Sequence, residues 1–241
     1  MTNKRFIPVM ATTCLLSFTH AVQAISMTVL GEKVNVRAEA NQKAKSVGLL
    51  DKETVVEVVS RSKQQEKFGK AQDYWYQVES SGTTGWVFGS LLTDKGERVT
   101  VGSGIQVRDK PNTKATVLET LAKEETVMTL GRSKEHEKLL GVEDYWYQIK
   151  SPTGKEGWVF GGLLLKTGQG ETLGGNINVR TEPHAKAKIV ETLPNKGQQV
   201  SIIGRSKAKE NLDKNSDYWY QVKTPNGKQG WIFGAFLMPT E

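Results

Sequence analysis

Aromatic side chains are concentrated in three short blocks of this sequence. The blocks run from Asp73 to Gly89, from Asp144 to Gly161 and from Asp217 to Gly234, and they hold all six Trp and all six Tyr. An indole ring offers apolar area together with an N–H donor, which suits the C–H faces of sugars and the backbones of peptides. The three blocks are therefore the first place to look for a ligand-binding surface.

The ionisable residues do not form a recognisable catalytic set. His136, which precedes the second block, aligns with Gln65 and Lys209 before the other two blocks, and His184 is likewise not repeated. Three carboxylates do recur, but each precedes a strand and lacks a repeated acidic partner for general acid–base work: Asp73, Asp144 and Asp217. The sequence also has no metal-ligand cluster, nucleophile elbow or phosphate loop. We therefore expect no enzymatic activity, no metal and no cofactor.

Each aromatic block belongs to a longer repeat with a period of about 72 residues, which is too long for a solenoid unit and long enough for a small domain. An Arg-Ser-Lys sequence occurs once in every repeat, beginning at Arg61, Arg132 and Arg205. We divide the chain into a predicted signal peptide, residues 1–24, and three repeats, residues 25–95, 96–167 and 168–241. Each repeat is expected to fold by itself, and the short junctions predict three repeats arranged close together in a row.

Apolar residues within a repeat alternate with a period of two. Val55–Val59, Tyr74–Val78 and Gly85–Phe88 are short β-branched and aromatic runs bounded by turn residues, which is typical of strands. The segment Thr224–Lys228 contains an Asn-Gly pair, a hairpin signal. No window sustains a long amphipathic helix. The predicted fold class is all-β, with three tandem small barrels that follow the signal peptide.

The order of motifs resembles that of the bacterial SH3 domain family. Each repeat has an "NVR"-type strand, a turn with a lysine, a β-run, "WYQ" followed by Val or Ile, a hairpin, and "GW(V/I)FG" followed by small or apolar residues. The resemblance covers nearly all of the chain after residue 24. It implies SH3-like barrels of five or six strands, which usually serve as non-catalytic modules of envelope proteins. Each repeat departs from the family pattern in a long charged loop, "KQQEKFGKAQ" in the first repeat.

The period of two predicts which aromatic side chains face outward. If Val78 and Val87 face the core, then Trp75, Trp86 and Phe88 lie on the opposite face. By similarity to eukaryotic SH3 domains, where the first aromatic of such a motif lines the ligand groove, we predict a groove in each repeat. The predicted groove residues are Trp75, Phe88, Trp146, Phe160, Trp219 and Phe233. The alternative is that these large side chains cover barrel ends or pack between repeats, because a small barrel has little interior.

Other repeated residues have structural or weaker functional interpretations. The second Trp of each block is a less favoured ligand candidate: Trp86, Trp158 and Trp231. One arginine per repeat is expected to form a salt bridge or to cap backbone carbonyls: Arg37, Arg108 and Arg180. The glycines that flank the GW(V/I)FG motifs are interpreted as requirements of the backbone.

The first 24 residues are typical of a cleaved export signal. Lys4 and Arg5 precede a mostly apolar stretch from Phe6 to Phe18, and small residues end the segment at Val22–Ala24. The apolar stretch of about 13 residues is shorter than the roughly 17 to 25 that span a bilayer, and no later segment comes close, so no transmembrane segment is expected. We expect an exported protein, periplasmic or extracellular, that begins near Ile25.

Cys14, the only cysteine, lies within this predicted signal. An anchored lipoprotein is the alternative, but the residues before Cys14 lack the expected leucine. Without Lys4 and Arg5, the 33 Lys and Arg side chains become 31 against 26 acidic ones, which leaves a net charge of +5. This mildly basic balance suits carboxylate-rich envelope polymers and argues, with export, against nucleic acid as a partner.

The sequence therefore predicts a non-catalytic exported binding protein. Its tandem SH3-like domains would bind cell-wall peptidoglycan or its peptides through aromatic grooves. The alternative is a periplasmic or secreted adaptor whose grooves dock extended segments of envelope proteins.

Overall fold

The computed structural model describes residues 25–240, so the predicted signal peptide at 1–24 lies outside the described residues. The described chain consists of strands, loops and three one-turn 3₁₀-helices, and it forms three seven-stranded sheets, one per repeat. The prediction of an all-β fold with three tandem SH3-like barrels is confirmed. Between residues 25 and 240 no helix is long and apolar enough to cross a membrane.

The three repeats contain the same nine strands in the same order. Repeat 1 has β1 (Ile25–Val29), β2 (Val34–Arg37), β3 (Ser46–Leu50), β4 (Val55–Arg61), β5 (Glu66–Phe68), β6 (Ala71–Asp73), β7 (Trp75–Ser80), β8 (Thr83–Phe88), η1 (Gly89–Leu91) and β9 (Leu92–Thr93). Repeat 2 has β10 (Gly96–Thr100), β11 (Ile105–Arg108), β12 (Val117–Leu121), β13 (Thr126–Arg132), β14 (Glu137–Leu139), β15 (Val142–Asp144), β16 (Trp146–Lys150), β17 (Glu156–Phe160), η2 (Gly161–Leu163) and β18 (Leu164–Leu165). Repeat 3 has β19 (Gly168–Thr172), β20 (Ile177–Arg180), β21 (Ile189–Leu193), β22 (Gln199–Arg205), β23 (Glu210–Leu212), β24 (Asn215–Asp217), β25 (Trp219–Lys223), β26 (Gln229–Phe233), η3 (Gly234–Phe236) and β27 (Leu237–Pro239).

Each seven-stranded sheet is antiparallel. In repeat 1 the order is β3-β2-β8-β7-β4-β1-β9, and the fifth and sixth strands pair with each other in a separate hairpin. The register shifts by one residue between Val36 and Arg37 on β2, and again between Val58 and Ser60 on β4. Such bulges increase the local twist and bend of a sheet. They lie at equivalent places in the other repeats.

Alternating apolar residues fill the interior of each barrel. On β4, Val56 and Val58 are buried while Val55 and Val59 are exposed. The core of repeat 1 also contains Val78, and the equivalent residues form the cores of repeats 2 and 3. The short period of alternation thus places one face of each strand inside, as the sequence predicts.

The three repeats contact one another in a closed ring. Arg61 of repeat 1 donates from Nη2 to the carbonyl oxygens of Gly234 and Ala235 in repeat 3, at 2.9 and 3.1 Å. Equivalent bonds join repeat 2 to repeat 1 and repeat 3 to repeat 2: Arg132 to Gly89 and Leu92, and Arg205 to Gly161 and Gly162. The apolar cores also meet across the seams, since Met238 of repeat 3 packs in the core cluster of repeat 1.

The predicted row of repeats is therefore wrong, because the last repeat closes onto the first. Each repeat presents its arginine to one neighbour and its 3₁₀ carbonyls to the other. Such a head-to-tail contact closes into a ring when the rotation from one unit to the next returns to the start. Here it closes after three repeats. Independent folding of a single repeat stays a prediction.

Gly85 is required by close packing of two strands. A Cβ at this position would lie 2.6 Å from Val36 Cγ1 and 2.7 Å from the carbonyl oxygen of Arg37. Gly157 and Gly230 have the same surroundings in repeats 2 and 3. The backbone oxygen cannot move away without breaking the β2–β8 contact, so only glycine fits.

Gly85→Ala should lower the free energy of unfolding by about 1–3 kcal/mol, the usual cost of overpacking. The measurement is the urea midpoint of unfolding followed by circular dichroism. Gly102→Ala is the matched control, since a Cβ there meets nothing within 4 Å. Equal stability of the two variants would contradict this account.

Candidate functional site

The predicted phase of the aromatic strands is correct. Val78 and Val87 lie in the core cluster of repeat 1, whereas Trp75 and Phe88 do not. Trp75 and Phe88 are directly opposite on β7 and β8, with ring centroids 5.3 Å apart. The same pairs form in the other repeats: Trp146 with Phe160, and Trp219 with Phe233.

The prediction that these pairs line an open groove is wrong. Trp75 is 3% exposed and Phe88 is 1% exposed, and the other four residues are buried to the same degree. The cause is the elongated charged loop, which folds into the β5–β6 hairpin and covers the pair. Phe68 on β5 packs edge-on against Phe88 at 5.6 Å. The ligand-binding role of the six residues itself stays a prediction.

The hairpin is fastened to the buried Trp by a charge-assisted hydrogen bond. The Trp75 indole donates from Nε1 to Glu66 Oε2 at 2.6 Å. The same bond recurs from Trp146 to Glu137 and from Trp219 to Glu210. A buried indole N–H needs an acceptor, and the repeated glutamate supplies it.

The Trp–Phe pairs also contact the neighbouring repeat, as the alternative interpretation expected. Tyr74 of repeat 1 is buried against Trp219 and Phe233 of repeat 3. Tyr218 of repeat 3 is buried against Trp146 and Phe160 of repeat 2. These large aromatic surfaces are therefore used to join the repeats.

Three repeated residue types form each seam. We call Arg61, Arg132 and Arg205 the seam arginines, Tyr74, Tyr145 and Tyr218 the seam tyrosines, and Asp73, Asp144 and Asp217 the seam aspartates. The Tyr74 hydroxyl donates to Asp217 Oδ2 at 2.9 Å, and the guanidinium of Arg61 stacks over the Tyr74 ring at 3.8 Å. The other two seams repeat both contacts.

Burial changes the ionisation of the seam residues. Burial raises the pKa of Tyr74, and the charge of Asp217 raises it further, so this phenol keeps its proton and donates. Burial also raises the pKa of Asp73, although Arg132 and the amide of Tyr74 oppose the increase. The seam aspartate is thus held by its hydrogen bonds at some electrostatic cost.

The last glycine of each GW(V/I)FG motif makes room for the seam aspartate. A Cβ on Gly89 would lie 2.8 Å from Asp73 Cγ, and one on Gly234 would lie 2.6 Å from Asp217 Cγ. These glycines therefore serve close approach between side chain and backbone, which agrees with their interpretation as backbone requirements.

The second Trp of each block remains partly exposed, whereas the first is buried. Trp86 pairs with Gln77 on one side and with Arg37 on the other, so that the three side chains share one face of the sheet. The same triplets occur in repeats 2 and 3: Trp158, Gln148 and Arg108, and Trp231, Gln221 and Arg180. We call each triplet an outer face. Arg37 Nη1 also donates to the carbonyl of Ala44 at 2.7 Å, which confirms the predicted cap.

One position in the seams differs between repeats. Gln65 exchanges hydrogen bonds with Ser216 of repeat 3, and Lys209 donates to the carbonyl of Glu143 in repeat 2. The equivalent His136 instead lies against its own Tyr145, with ring centroids 3.8 Å apart. Burial lowers the pKa of His136 to about 4, helped by the charges of Lys209 and Arg132 and opposed by Asp144.

The barrels, their order of strands and the paired aromatics define a tandem array of SH3-like domains. The family described as bacterial SH3 domain matches residues 32–93, 103–164 and 175–238, which together make up most of the chain. The chain belongs to the bacterial SH3 domain family. No curated protein matches it.

Several solved structures show a distant likeness. NlpC2 from Trichomonas vaginalis is 13% identical with a TM-score of 0.26, and the match covers 60% of this chain and 49% of that one. A putative autolysin from Listeria monocytogenes is 15% identical with a TM-score of 0.22, covering 88% and 95%. NlpC1 from Trichomonas vaginalis is 10% identical with a TM-score of 0.26, covering 92% and 97%. The chain thus spans about half the length of the NlpC2 structure, and such low TM-scores support no argument about the arrangement of the repeats.

Trp75→Ala should lower the free energy of unfolding by about 3–5 kcal/mol, because it empties a buried site and leaves Glu66 without its donor. Trp86→Ala, at a half-exposed site on the neighbouring strand, should cost clearly less. Chemical unfolding of both variants checks the ranking. If Trp75→Ala is no more destabilised than Trp86→Ala, the buried position assigned to Trp75 is wrong.

His136 should make stability depend on pH. In the unfolded chain it takes up a proton near pH 6.5, but in the folded protein it stays neutral until about pH 4. The contribution of neutral His136 to the free energy of unfolding is therefore complete above about pH 6.5 and is lost as the pH falls toward 4. The variant His136→Gln carries the residue that repeat 1 has at this position. Between about pH 7 and about pH 5, we expect its urea midpoint to fall less than that of the unaltered protein. The same fall in both proteins would assign the pH dependence to other groups.

Proposed function

We propose that this protein is an exported, non-catalytic binding protein that holds cell-wall peptidoglycan or its peptides. Membership of the bacterial SH3 domain family in three tandem copies supports the class of protein. The observation that carries the proposal is the repetition of one outer face three times around a closed ring. A repetitive polymer can engage several such faces at once, which raises its overall affinity without any new contact.

The chemistry of an outer face suits a glycopeptide. The half-exposed indole of Trp86 offers apolar area to a sugar ring. The amide of Gln77 has both donors and an acceptor, and the guanidinium of Arg37 can attract a carboxylate of a peptide. Trp86, Trp158 and Trp231 thus replace the buried pairs as the principal ligand candidates. A ligand role for the six predicted groove residues would require the covering hairpin to move aside.

A second candidate function is docking of extended protein segments. The edge strand β3 carries Val47 and Leu49, which are 46% and 60% exposed. An edge strand can accept a further strand from a partner, with alternate side chains giving specificity. This observation favours an envelope adaptor that binds proteins through β3 and its equivalents.

The test is co-sedimentation of the protein, residues 25–241, with purified sacculi that carry no protein. Replacing Trp86, Trp158 and Trp231 by Ala should weaken binding about tenfold or more, since losing about 1.4 kcal/mol already costs a factor of ten. Phe236→Ala, which removes an exposed aromatic side chain outside these triplets, is the control. Thermal unfolding should show that every variant is folded.

Two outcomes would decide against the proposal. Unchanged binding of the triple variant would remove the outer faces from the function. No binding of the unaltered protein to sacculi, together with recovery of envelope proteins that depend on β3, would favour the adaptor.

A further inference from the structure

A cavity of about 240 Å³ lies where the three repeats meet. All seam arginines, seam tyrosines and seam aspartates line it, together with residues from the junctions between repeats. It is distinct from the outer faces, none of whose residues line it. Its volume is somewhat below that of typical ligand pockets and suits a small molecule.

The repeated residues leave this cavity neutral, and the residues that differ between repeats make it positive. Three seam arginines balance three seam aspartates. The remaining charged residues of the lining are not repeated: Arg98, Lys166 and Lys209, against Asp94 alone. Six cations against four anions give a formal charge of +2. His136 also lines the cavity and, with its lowered pKa, adds no charge at neutral pH.

One carboxylate is shared between two of the unrepeated cations. Arg98 Nη2 donates to both oxygens of Asp94, at 2.7 and 2.8 Å, and Lys166 Nζ lies 3.3 Å from Asp94 Oδ2. Burial alone would raise the pKa of Asp94, but Arg98 and Lys166 outweigh it and hold the pKa at about 2. Asp94 therefore stays charged and can neutralise only one of its two partners.

The cluster of Arg98, Asp94 and Lys166 is not part of the repeated pattern, because the equivalent positions of the other repeats carry different residues. By register, Arg98 corresponds to Met27 in repeat 1 and to Gly170 in repeat 3. Asp94 and Lys166 come directly after β9 and β18, and the equivalent position in repeat 3 is Pro239, the last residue of β27. The three junctions thus bring different side chains to one place, where they meet around the centre of the ring.

Some arginines that line the cavity also have a guanidinium N–H without a hydrogen-bond partner in the described part of the chain. The Nε atoms of Arg61, Arg98 and Arg205 are buried and have no hydrogen-bond partner among residues 25–240. Arg61 is only 9% exposed. A buried guanidinium donor without an acceptor is costly, and an anionic oxygen is the acceptor that satisfies both its hydrogen bond and its charge. The side chains of Arg98, Asp94 and Lys166 keep 12%, 16% and 14% of their surface exposed, so solvent reaches this part of the cavity.

We propose that the central cavity binds a small dianion, a dicarboxylate or inorganic phosphate, between Arg98, Lys166 and the seam arginines. Two negative charges match the formal surplus of the lining. The phenols of Tyr147 and Tyr220, which also line the cavity, can donate to the same oxygens. Because the ligand contacts all three repeats, its binding stabilises the closed ring over any opened form.

The test measures binding of succinate and of phosphate to the protein, residues 25–241, by titration calorimetry and by the rise in melting temperature. Neutral succinamide and sodium chloride at equal ionic strength are the ligand controls. We expect succinate or phosphate to bind with a dissociation constant in the millimolar range or below and to raise the melting temperature, while succinamide does neither.

Two variants locate the site. Arg98→Met, which carries the residue of repeat 1 at this position, should weaken dianion binding about tenfold or more, the factor for losing one charge contact of about 1.4 kcal/mol. Lys166→Met provides a second, independent removal of the surplus charge. Lys95→Met is the matched control, because Lys95 carries the same charge nearby but faces Glu53 outside the cavity.

The proposal predicts loss of binding in Arg98→Met or Lys166→Met and unchanged binding in Lys95→Met. Binding of only one of the two dianions would also support the proposal and would show which of them, succinate or the smaller phosphate, fits the cavity. The absence of any melting-temperature rise beyond that of sodium chloride would overturn the proposal. Equal weakening in Lys95→Met would do the same, because it would indicate a non-specific charge effect.

Discussion

The contact of a seam arginine with the 3₁₀ carbonyls of the neighbouring repeat is the constraint on which the arrangement of this protein depends. Arg61 carries out three tasks at once: it satisfies two carbonyl oxygens of repeat 3, it stacks on Tyr74, and it lies close to Asp217. Buried charges persist in proteins when such partners compensate their lost hydration. Because each repeat supplies and receives the same contact, every repeat has two seams and none has a free end.

Closure of the ring changes the structural role of the Trp–Phe pairs. In a single barrel, Trp75 and Phe88 would cover the outside of a small sheet. In the ring, the equivalent pairs of repeats 2 and 3 pack between their own hairpin and a tyrosine of the neighbouring repeat, and Glu66 satisfies the indole of Trp75. The large aromatic area therefore contributes to assembly within one chain. Trp86 and its equivalents lie on the same sheet face and stay partly exposed.

Triplication and divergence have separate consequences. The repeated seam residues cancel in charge, which allows three copies to close without accumulating like charges at the centre. One divergence lies where the junctions meet, and there Arg98 and Lys166 share Asp94. His136 marks another divergence, since it replaces the hydrogen-bonding side chains of Gln65 and Lys209 with a ring that packs against Tyr145. A ring of similar repeats can thus hold a single, asymmetric centre.

Properties that depend on near neighbours along the chain could be predicted from the sequence alone. The period of two placed Val78 inside and Trp75 on the opposite face, and the motif order identified the SH3-like barrel, because strand pairing within a short repeat follows local pattern and turns. Whether the opposite face is open or covered depends instead on the three-dimensional packing of the loops and repeats. The covering hairpin was hidden in a charged loop, and Arg61 meets its acceptor Gly234 across 173 positions of sequence. No periodicity within a repeat encodes such a contact, and so neither the ring nor its central cavity could be inferred before the repeats were assembled.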